Sequence, residues 1–387
     1  MARDAHTDAG GHQHITLTPT QRSLVIVLGV AACILAAAVG IVGAQEYQTW
    51  VRQPLGAALP TSPYARLDLP ATWTPTAPGL STATTPTLAA TVARRCGGPP
   101  TMQVLLIGSD TRGEGYTWGL SDVMRVARVD FTESRLTFLD FPRDLWVQIP
   151  EIADNLKGQD HEKLNQAYLY GNPGDGFGYW DDPSAGPGLL ARTLEMNFGV
   201  KTDHYIAVNM QTFVRMVDAV DGLDVTLPER IGGSHDPNLQ AGTHHLDGSE
   251  ALAVARNRAE GVFSRGEEQN LVLCALQKKL LSASVVPHIP DLISAFRGSV
   301  QTDLSPEVMA QLACLATQLP RKNIAFYSFP EELFTGTRVF DPVFEKDVFV
   351  WDADFQVLRS YVTQFQSGSW PEQGGTSTSS NGPSFCQ

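Results

Sequence analysis

Basic charge is what this sequence lacks most. Its 28 lysines and arginines are outnumbered by 41 aspartates and glutamates, for a formal net charge of −13. Neutralising a run of nucleic-acid phosphates needs the opposite balance, so nucleic acid is excluded as a partner, and with it a direct transcriptional role. Any anion site must then be a local cluster of arginines. Cysteine is scarce as well, with five in 387 residues. The spacing of Cys96, Cys274, Cys314 and Cys386 fits no zinc motif, and no cysteine has a nearby histidine to make it a nucleophile. There is no Gly-x-Ser-x-Gly elbow for a serine hydrolase. Gly174-x-Gly176-x-Gly178 is not a dinucleotide fingerprint, because no strand precedes it and no helix opens there. No internal repeat is visible. What is present, at 43% hydrophobic content, is enough to bury one sizeable core with extras.

The most informative stretch runs from Val104 to Asp144. Val104–Ile107 is a continuous apolar run, as expected of a strand buried on both faces, and it ends at Gly108-Ser-Asp110. A loop with glycines follows, from Thr111 to Ser121. Val123–Val129 reads as a second strand, Thr132-Glu-Ser134 as a turn, and Leu136–Phe141 as a third strand stopped by Pro142. An antiparallel meander of these three brings Asp110, Asp122 and Arg143 to one sheet edge. Two carboxylates with an arginine suit a hard cation plus a phosphate, since Mg²⁺ takes one or two carboxylates and leaves its other positions to water and phosphate oxygens. The plainer alternative is two loop caps and a surface charge.

A second segment, Leu246 to Arg258, adds cations. Asp247 followed three residues later by Glu250 is a capping-box signature, so a helix should begin there. Arg256 and Arg258 are two apart and can share a ligand only if the chain becomes extended at Arg256. Arg265 follows in a polar loop and Gln269 opens the next helix. Here the alternative is a set of solvated charges.

Outside these segments the chain divides by composition. Residues 1–22 are polar; His12-Gln-His14 is read as part of a disordered tail rather than a metal site. Ser23–Ala44 carries no charge and is long enough to span a bilayer as a helix; the small residues near Gly43-Ala44 permit cleavage, but a retained anchor is favoured. Residues 45–95, rich in Pro, Thr and Ala, read as an extended semi-rigid stalk that permits O-glycosylation. A domain is expected over 96–366 and a disordered tail over 367–387. Within the domain, Lys163–Tyr170, Leu189–Phe198 and Gln211–Val220 read as helices, and His204–Val208 and Leu223–Leu227 as strands. From Gln269 the chain reads as mainly helical to about Leu319, followed by a strand at Ile324–Phe329 and a closing helix at Trp351–Phe365. The loop Gly171–Gly188, with Phe177, Tyr179 and Trp180, is either a plain surface loop or a lid or acceptor-glycan platform. Strands interspersed with helices give an α/β fold: a layered α-β-α sandwich around a central mixed sheet.

Six pieces in one order carry a resemblance: Ile107-Gly-Ser-Asp-Thr-Arg112, Ser121-Asp122, Phe141-Pro-Arg-Asp144, Lys163-Leu-Asn-Gln-Ala-Tyr168, Val217-Asp-Ala-Val-Asp-Gly-Leu-Asp-Val225, and Leu246 through Arg258. Over about residues 100–285 the chain resembles the LytR-CpsA-Psr family of envelope glycopolymer ligases. The resemblance implies Mg²⁺ at Asp110 and Asp122. It also implies a pyrophosphate site drawn from Arg112, Arg143, Arg256, Arg258, Arg265 and Gln269. Asp144 is a candidate base by position, or else orients Arg143. Three positions depart from the family pattern: Leu120, Val262 and Glu268, which weakens the outer part of the clamp.

By that resemblance the protein is a Mg²⁺-dependent phosphotransferase in the cell membrane. It would be a single-pass protein with residues 1–22 inside and the catalytic domain outside. The implied reaction moves a glycan phosphate from a polyprenyl-pyrophosphate carrier to a cell-wall acceptor hydroxyl. Alternatives are a pyrophosphatase on the same lipid, or a non-catalytic envelope regulator. The apolar residues Leu190, Leu194, Phe198, Phe213 and Val217 are candidates to border a lipid tunnel, or are ordinary core. Four external cysteines would persist as disulfides, and Cys274 with Cys314, both on expected helices, is the favoured pair.

Overall fold

In a computed structural model the described residues are 44–49, 51–60, 95–111, 119–231, 238–257, 264–282, 288, 291, 300–341, 345–370 and 384–386. The chain separates into two compact units, residues 1–53 and 54–387. In the first, residues 44–49 are helical. The expected membrane segment, apart from Ala44, lies outside the described residues; among those described, no helix is long and apolar enough to cross a membrane.

The second unit is built on the expected meander. Strands β1 (Thr101–Ser109), β2 (Ser121–Asp130) and β3 (Arg135–Asp140) pair antiparallel in sequence order. They form the middle of a seven-stranded sheet. On one side β6 (His204–Asn209) joins β1 in parallel, and β9 (Val300–Thr302) closes that edge antiparallel to β6. On the other, β10 (Ile324–Ser328) joins β3 in parallel, and β13 (Ser384–Phe385) closes antiparallel to β10. The central sheet is therefore mixed. Three two-stranded ribbons stand apart from it: β4 (Trp146–Gln148) with β5 (His161–Lys163), β7 (Leu223–Leu227) with β8 (Gly242–Leu246), and β11 (Phe334–Asp341) with β12 (Lys346–Ala353).

Alternation along the strands sends side chains to two faces, and both are covered. One face presents Leu105, Ile107, Met124, Val126 and Leu139 to the main core, which α2 (Ala185–Phe198) and α7 (Phe355–Ser367) complete; α1 (Gln166–Gly171) packs on α2. The opposite face presents Met102, Val104, Ala127 and Val129, with Leu315 of α6 (Pro306–Gln318) against them. Further along that face lie α3 (Met210–Ala219), α4 (Gly248–Ala255) and α5 (Ser264–Leu280), which share a satellite core with the β7–β8 ribbon. Each Leu or Phe so buried stabilises by about 1.5–3 kcal/mol, which explains why the layers close on both faces.

A local signal starts α4 where the sequence placed it, whereas the helix read from Lys163 begins only at Gln166, after Lys163 has closed β5. Asp247 accepts from Glu250 N at 2.8 Å while the Glu250 side chain accepts from Asp247 N at 3.1 Å, the reciprocal capping box. Asn209 caps α3 through Thr212 N at 2.7 Å, and Ser305 caps α6, whose first residue is Pro306.

Several boundaries differ from the sequence reading. Residues 54–60 are not stalk: Leu55 N donates to Leu304 O at 3.1 Å and Leu59 is buried in the main core. The C-terminal stretch is not disordered throughout, because 384–386 form the edge strand and a disulfide. Trp351 belongs to β12, and α7 begins only after Asp354 supplies its cap.

The disulfide expectation is overturned. Cys96 is bonded to Cys314 and Cys274 to Cys386. Both helices carrying the expected pair are present, but α6 packs against the domain start at 95–97, while Cys274 on α5 lies among Leu319, Ile324 and Phe326 beside the C-terminal strand. Helical periodicity says nothing about which neighbour a helix face meets.

Candidate functional site

The meander does gather the expected groups. The β1–β2 register shifts between Gly108 and Ser109: Gly108 faces Val123 and Ser109 faces Ser121, which leaves Asp122 as the extra residue of a bulge. A bulge re-aims a side chain at a sheet edge, and Asp122 is paired there with Nη1 of Arg143. Asp110 stands on the same edge. Its N–H donates to Leu120 O at 3.0 Å and its Oδ1 accepts from Leu120 N at 2.6 Å. That closure requires Gly119: its φ is +146°, and a Cβ would sit 2.3 Å from Thr111 Oγ1.

Arg143 is held from behind. Its Nε donates to Asp144 Oδ2 at 3.2 Å, and Asp144 Oδ1 accepts from Lys163 Nζ at 2.8 Å. Burial opposes the charge on Arg143, but Asp122 and Asp144 outweigh it and hold the guanidinium above its ordinary value. Asp144 is buried and spends one oxygen on each cation, the geometry of a group that orients Arg143. The segment after Lys163 fixes the backbone: Asn165 N donates to Arg143 O at 3.1 Å, and Asn165 O accepts from Ser121 N at 3.1 Å. Lys163 and Asn165 were visible only as letters of a matching motif; the bracing they provide is the work of the β4–β5 ribbon, which no local pattern announced.

Behind this edge, on the α3–α4–α5 side of the sheet, lies a cavity of about 260 Å³. Leu106, Val123 and Ile206 of the sheet, Phe213 of α3, Leu252 of α4 and Val272 of α5 line it, and its charged lining residues are Asp122, Arg125 and Arg256. Of the five tunnel candidates, Phe213 is at this wall. Leu190, Leu194 and Phe198 are in the main core on the opposite face, and Val217 is in the satellite core. Helical spacing grouped them correctly as buried but could not say on which side of the sheet.

Arg256 is exposed and caps α4 at φ −104°, ψ 0°, a helical rather than extended conformation; the following Asn257 is buried and donates to Glu268 at 3.1 Å. Arg112 and Arg258 lie outside the described residues. Arg265 falls in the first turn of α5, not in a loop. Gln269 lines the cavity but spends its amide on protein: Oε1 accepts from Arg125 Nη2 at 3.1 Å and Nε2 donates to Ala255 O at 3.2 Å.

Arg125 is the residue that sequence reasoning missed. It is fully buried on β2 opposite Asp140 on β3, with Nε 2.5 Å from Asp140 Oδ1 and Nη1 donating to Asn270 Oδ1 at 2.7 Å. Burial lowers its pKa against the pull of Asp140, and raises Asp140 to about 6 against the pull of Arg125. The only sequence signal was a charge at a strand position between apolar neighbours.

Among the described residues, no group of three or more His, Cys, Asp or Glu is arranged to hold a metal. Asp110 and Asp122 are two carboxylates on one sheet edge, the donor type that a hard cation takes while water and phosphate oxygens complete its shell. The Asp122–Arg143 ion pair shows that a positive charge is already accommodated there.

The fold is an α/β domain whose mixed sheet has a charged edge beside an apolar cavity. The chain belongs to the LytR_cpsA_psr family, whose sequence profile matches residues 97–353. It is 31% identical over 216 residues to the polyisoprenyl-teichoic acid–peptidoglycan teichoic acid transferase TagU of Enterococcus faecalis, covering 54% of this chain and 64% of that one. It is 27% identical over 207 residues to the regulatory protein MsrR of Staphylococcus aureus, covering 52% and 56%. The chain thus spans less than two thirds of the length of these curated relatives. Among solved structures, TagV of B. subtilis superposes with a TM-score of 0.51 at 23% identity, covering 69% of this chain and 97% of that one. A Streptococcus agalactiae protein gives 0.54 at 21%, covering 69% and 88%; both likenesses concern the fold.

Proposed function

We propose that this protein transfers a phosphate-linked glycan from a polyprenyl-pyrophosphate carrier to a hydroxyl of a cell-wall glycan. The observation that carries the reading is the apolar cavity of about 260 Å³ whose charged lining residues are Asp122, Arg125 and Arg256. An isoprenoid tail fits the apolar wall and a diphosphate fits the charged lining. The names of relatives at 31% and 27% identity point the same way in one case and to regulation in the other.

In this reading Arg143 and Arg256 hold diphosphate oxygens with charge-assisted bonds, each worth about 1.5–3 kcal/mol. Arg112, Arg258 and Arg265 are the further cations expected there. Asp144 and Lys163 keep the Arg143 fork in one orientation. Asp110 and Asp122 would hold Mg²⁺, which when bound supplies positive charge against the diphosphate. The acceptor oxygen forms a bond to the phosphorus that carries the glycan, and the bond from that phosphorus to the polyprenyl-phosphate oxygen breaks. Polyprenyl phosphate leaves as the anion, and the hydroxyl proton passes to a base or to solvent. Most of the barrier in such transfers is charge and alignment, which arginine forks and a shaped cavity address.

The test is turnover by the full chain in detergent, with a synthetic polyprenyl-diphosphate-linked glycan, Mg²⁺ and wall glycan strands. Glycan joined to the acceptor, with one polyprenyl phosphate released per joining, supports the reading. Release of free phosphorylated glycan at the same rate without acceptor identifies a pyrophosphatase instead. Binding without turnover leaves a regulatory role.

A further inference from the structure

The β11–β12 ribbon has two unlike faces. On the inner face Val350 and Asp341 are buried and Val339 and Val348 half-buried. The other face starts at the Phe334–Ala353 rung, which packs on the main core, and beyond it each of three successive cross-strand rungs carries one aromatic ring. Trp351 pairs with Gly336, Phe349 with Arg338, and Phe340 with Asp347. Phe340 is 62% exposed and Phe349 39%. The rungs repeat every second residue, about 7 Å apart along the strands. Gly336 makes room for two of the rings: a Cβ there would lie 3.0 Å from Phe349 and 3.3 Å from Trp351, whose rings meet edge to face at 5.1 Å. Neighbouring exposed aromatics on a ribbon mark an interaction surface.

We propose that this face docks a polysaccharide, the wall glycan strand that supplies the acceptor hydroxyl; the inference rests on the transferase reading above. Sugar rings offer apolar C–H faces for aromatic stacking and hydroxyls for polar neighbours, and the rungs alternate these two kinds of partner. Arg338 and Asp347 cancel, which suits an uncharged chain. An anionic bilayer is a poorer match, because the ring-bearing face has no excess of cations: its exposed charges are Arg338 and Asp347.

Position favours the acceptor over the donor. The ribbon is continuous with the reacting edge, since Trp351 N donates to Asp144 O at 2.9 Å and Trp351 bridges to Leu145. It reaches that edge from the main-core face, where Phe334, Trp351 and Ala353 pack. The cavity reaches the edge from the other face. Attacking and leaving oxygens in phosphoryl transfer stand roughly in line, so acceptor and carrier should arrive from opposite sides.

The experiment measures binding of peptide-free wall glycan strands, and separately of a polyprenyl-pyrophosphate analogue, to the full chain in detergent. Phe340→Ser with Phe349→Ser removes the exposed rings. Gly336→Val keeps them but fills the space between. Both variants are expected to bind strands at least tenfold more weakly with the analogue's affinity unchanged. Strand binding within twofold of wild type in both, or no strand binding by wild type, overturns the proposal. So does loss of binding to phosphatidylglycerol vesicles with strand binding intact. Failure of the analogue to bind wild type would instead count against the transferase reading, and the two failures are read on separate ligands.

Discussion

Asp122 and Arg143 form an ion pair across the end of the meander, one from a bulge in β2 and the other from the turn after β3. Neither strand alone places a charge there. The pair exists because three antiparallel strands bring those two ends together and because Asp144 and Lys163 hold the arginine from behind.

Lys163 should therefore matter to activity without touching substrate. Lys163→Met removes a charge-assisted bond to Asp144 at 2.8 Å and frees Arg143 to rotate. A loss of about 1.5–3 kcal/mol corresponds to a ten- to hundredfold fall in kcat/KM. Lys163→Arg should recover part of it, and thermal unfolding should move little.

Arg125 should matter to stability first. Removing one partner of a buried ion pair leaves the other charge stranded, which costs about 3–5 kcal/mol. Arg125→Met should lower the denaturation midpoint accordingly. Arg125→Met with Asp140→Leu should recover most of the loss, because no unpaired charge remains. Denaturant unfolding of wild type, both single variants (Arg125→Met and Asp140→Leu) and the double variant decides it.

Glu162, fully buried on β5, is pushed up from 4.5 to about 7, first by burial and then by the charge of Asp341. A carboxyl raised in the folded chain holds its proton more tightly there than when unfolded. Its contribution is fully present below 4.5 and is lost as pH rises through 7, a change of up to about 3 kcal/mol. Thermal unfolding should show wild type losing stability across that window relative to Glu162→Gln, which keeps a neutral side chain throughout.

Non-reducing peptide mapping should return Cys96–Cys314 and Cys274–Cys386. Cys386→Ser should cost about 2–5 kcal/mol. It should also weaken ligand retention in the cavity, because Cys274 ties α5, which supplies Val272, Leu273 and Leu276 to the cavity wall, to the sheet edge.

What could be read from sequence was whatever short-range chemistry decides. Apolar runs and turn residues fixed the meander, and through it the meeting of Asp122 with Arg143; Asp247 and Glu250 announced α4. Long-range choices were not legible. Leu190 and Phe213 look alike on a helix, and only the layer order assigns one to the core and the other to the cavity. Cys274 and Cys314 both sit on helices, and only tertiary packing selects Cys386 and Cys96 as their partners. Arg125 looked like one more charge, because its partners Asp140 and Asn270 are distant in the chain.

The most direct measurement is native mass spectrometry of the full chain extracted gently from cells that make polyprenyl lipids. The wild-type protein should carry a polyprenyl phosphate or pyrophosphate. Arg143→Ala with Arg256→Ala should lose it, whereas Asp110→Ala should retain lipid while losing Mg²⁺-dependent turnover. Wild-type protein free of any such lipid, and unable to bind a synthetic analogue more tightly with Mg²⁺ than without, would contradict the carrier-dependent transfer proposed for this site.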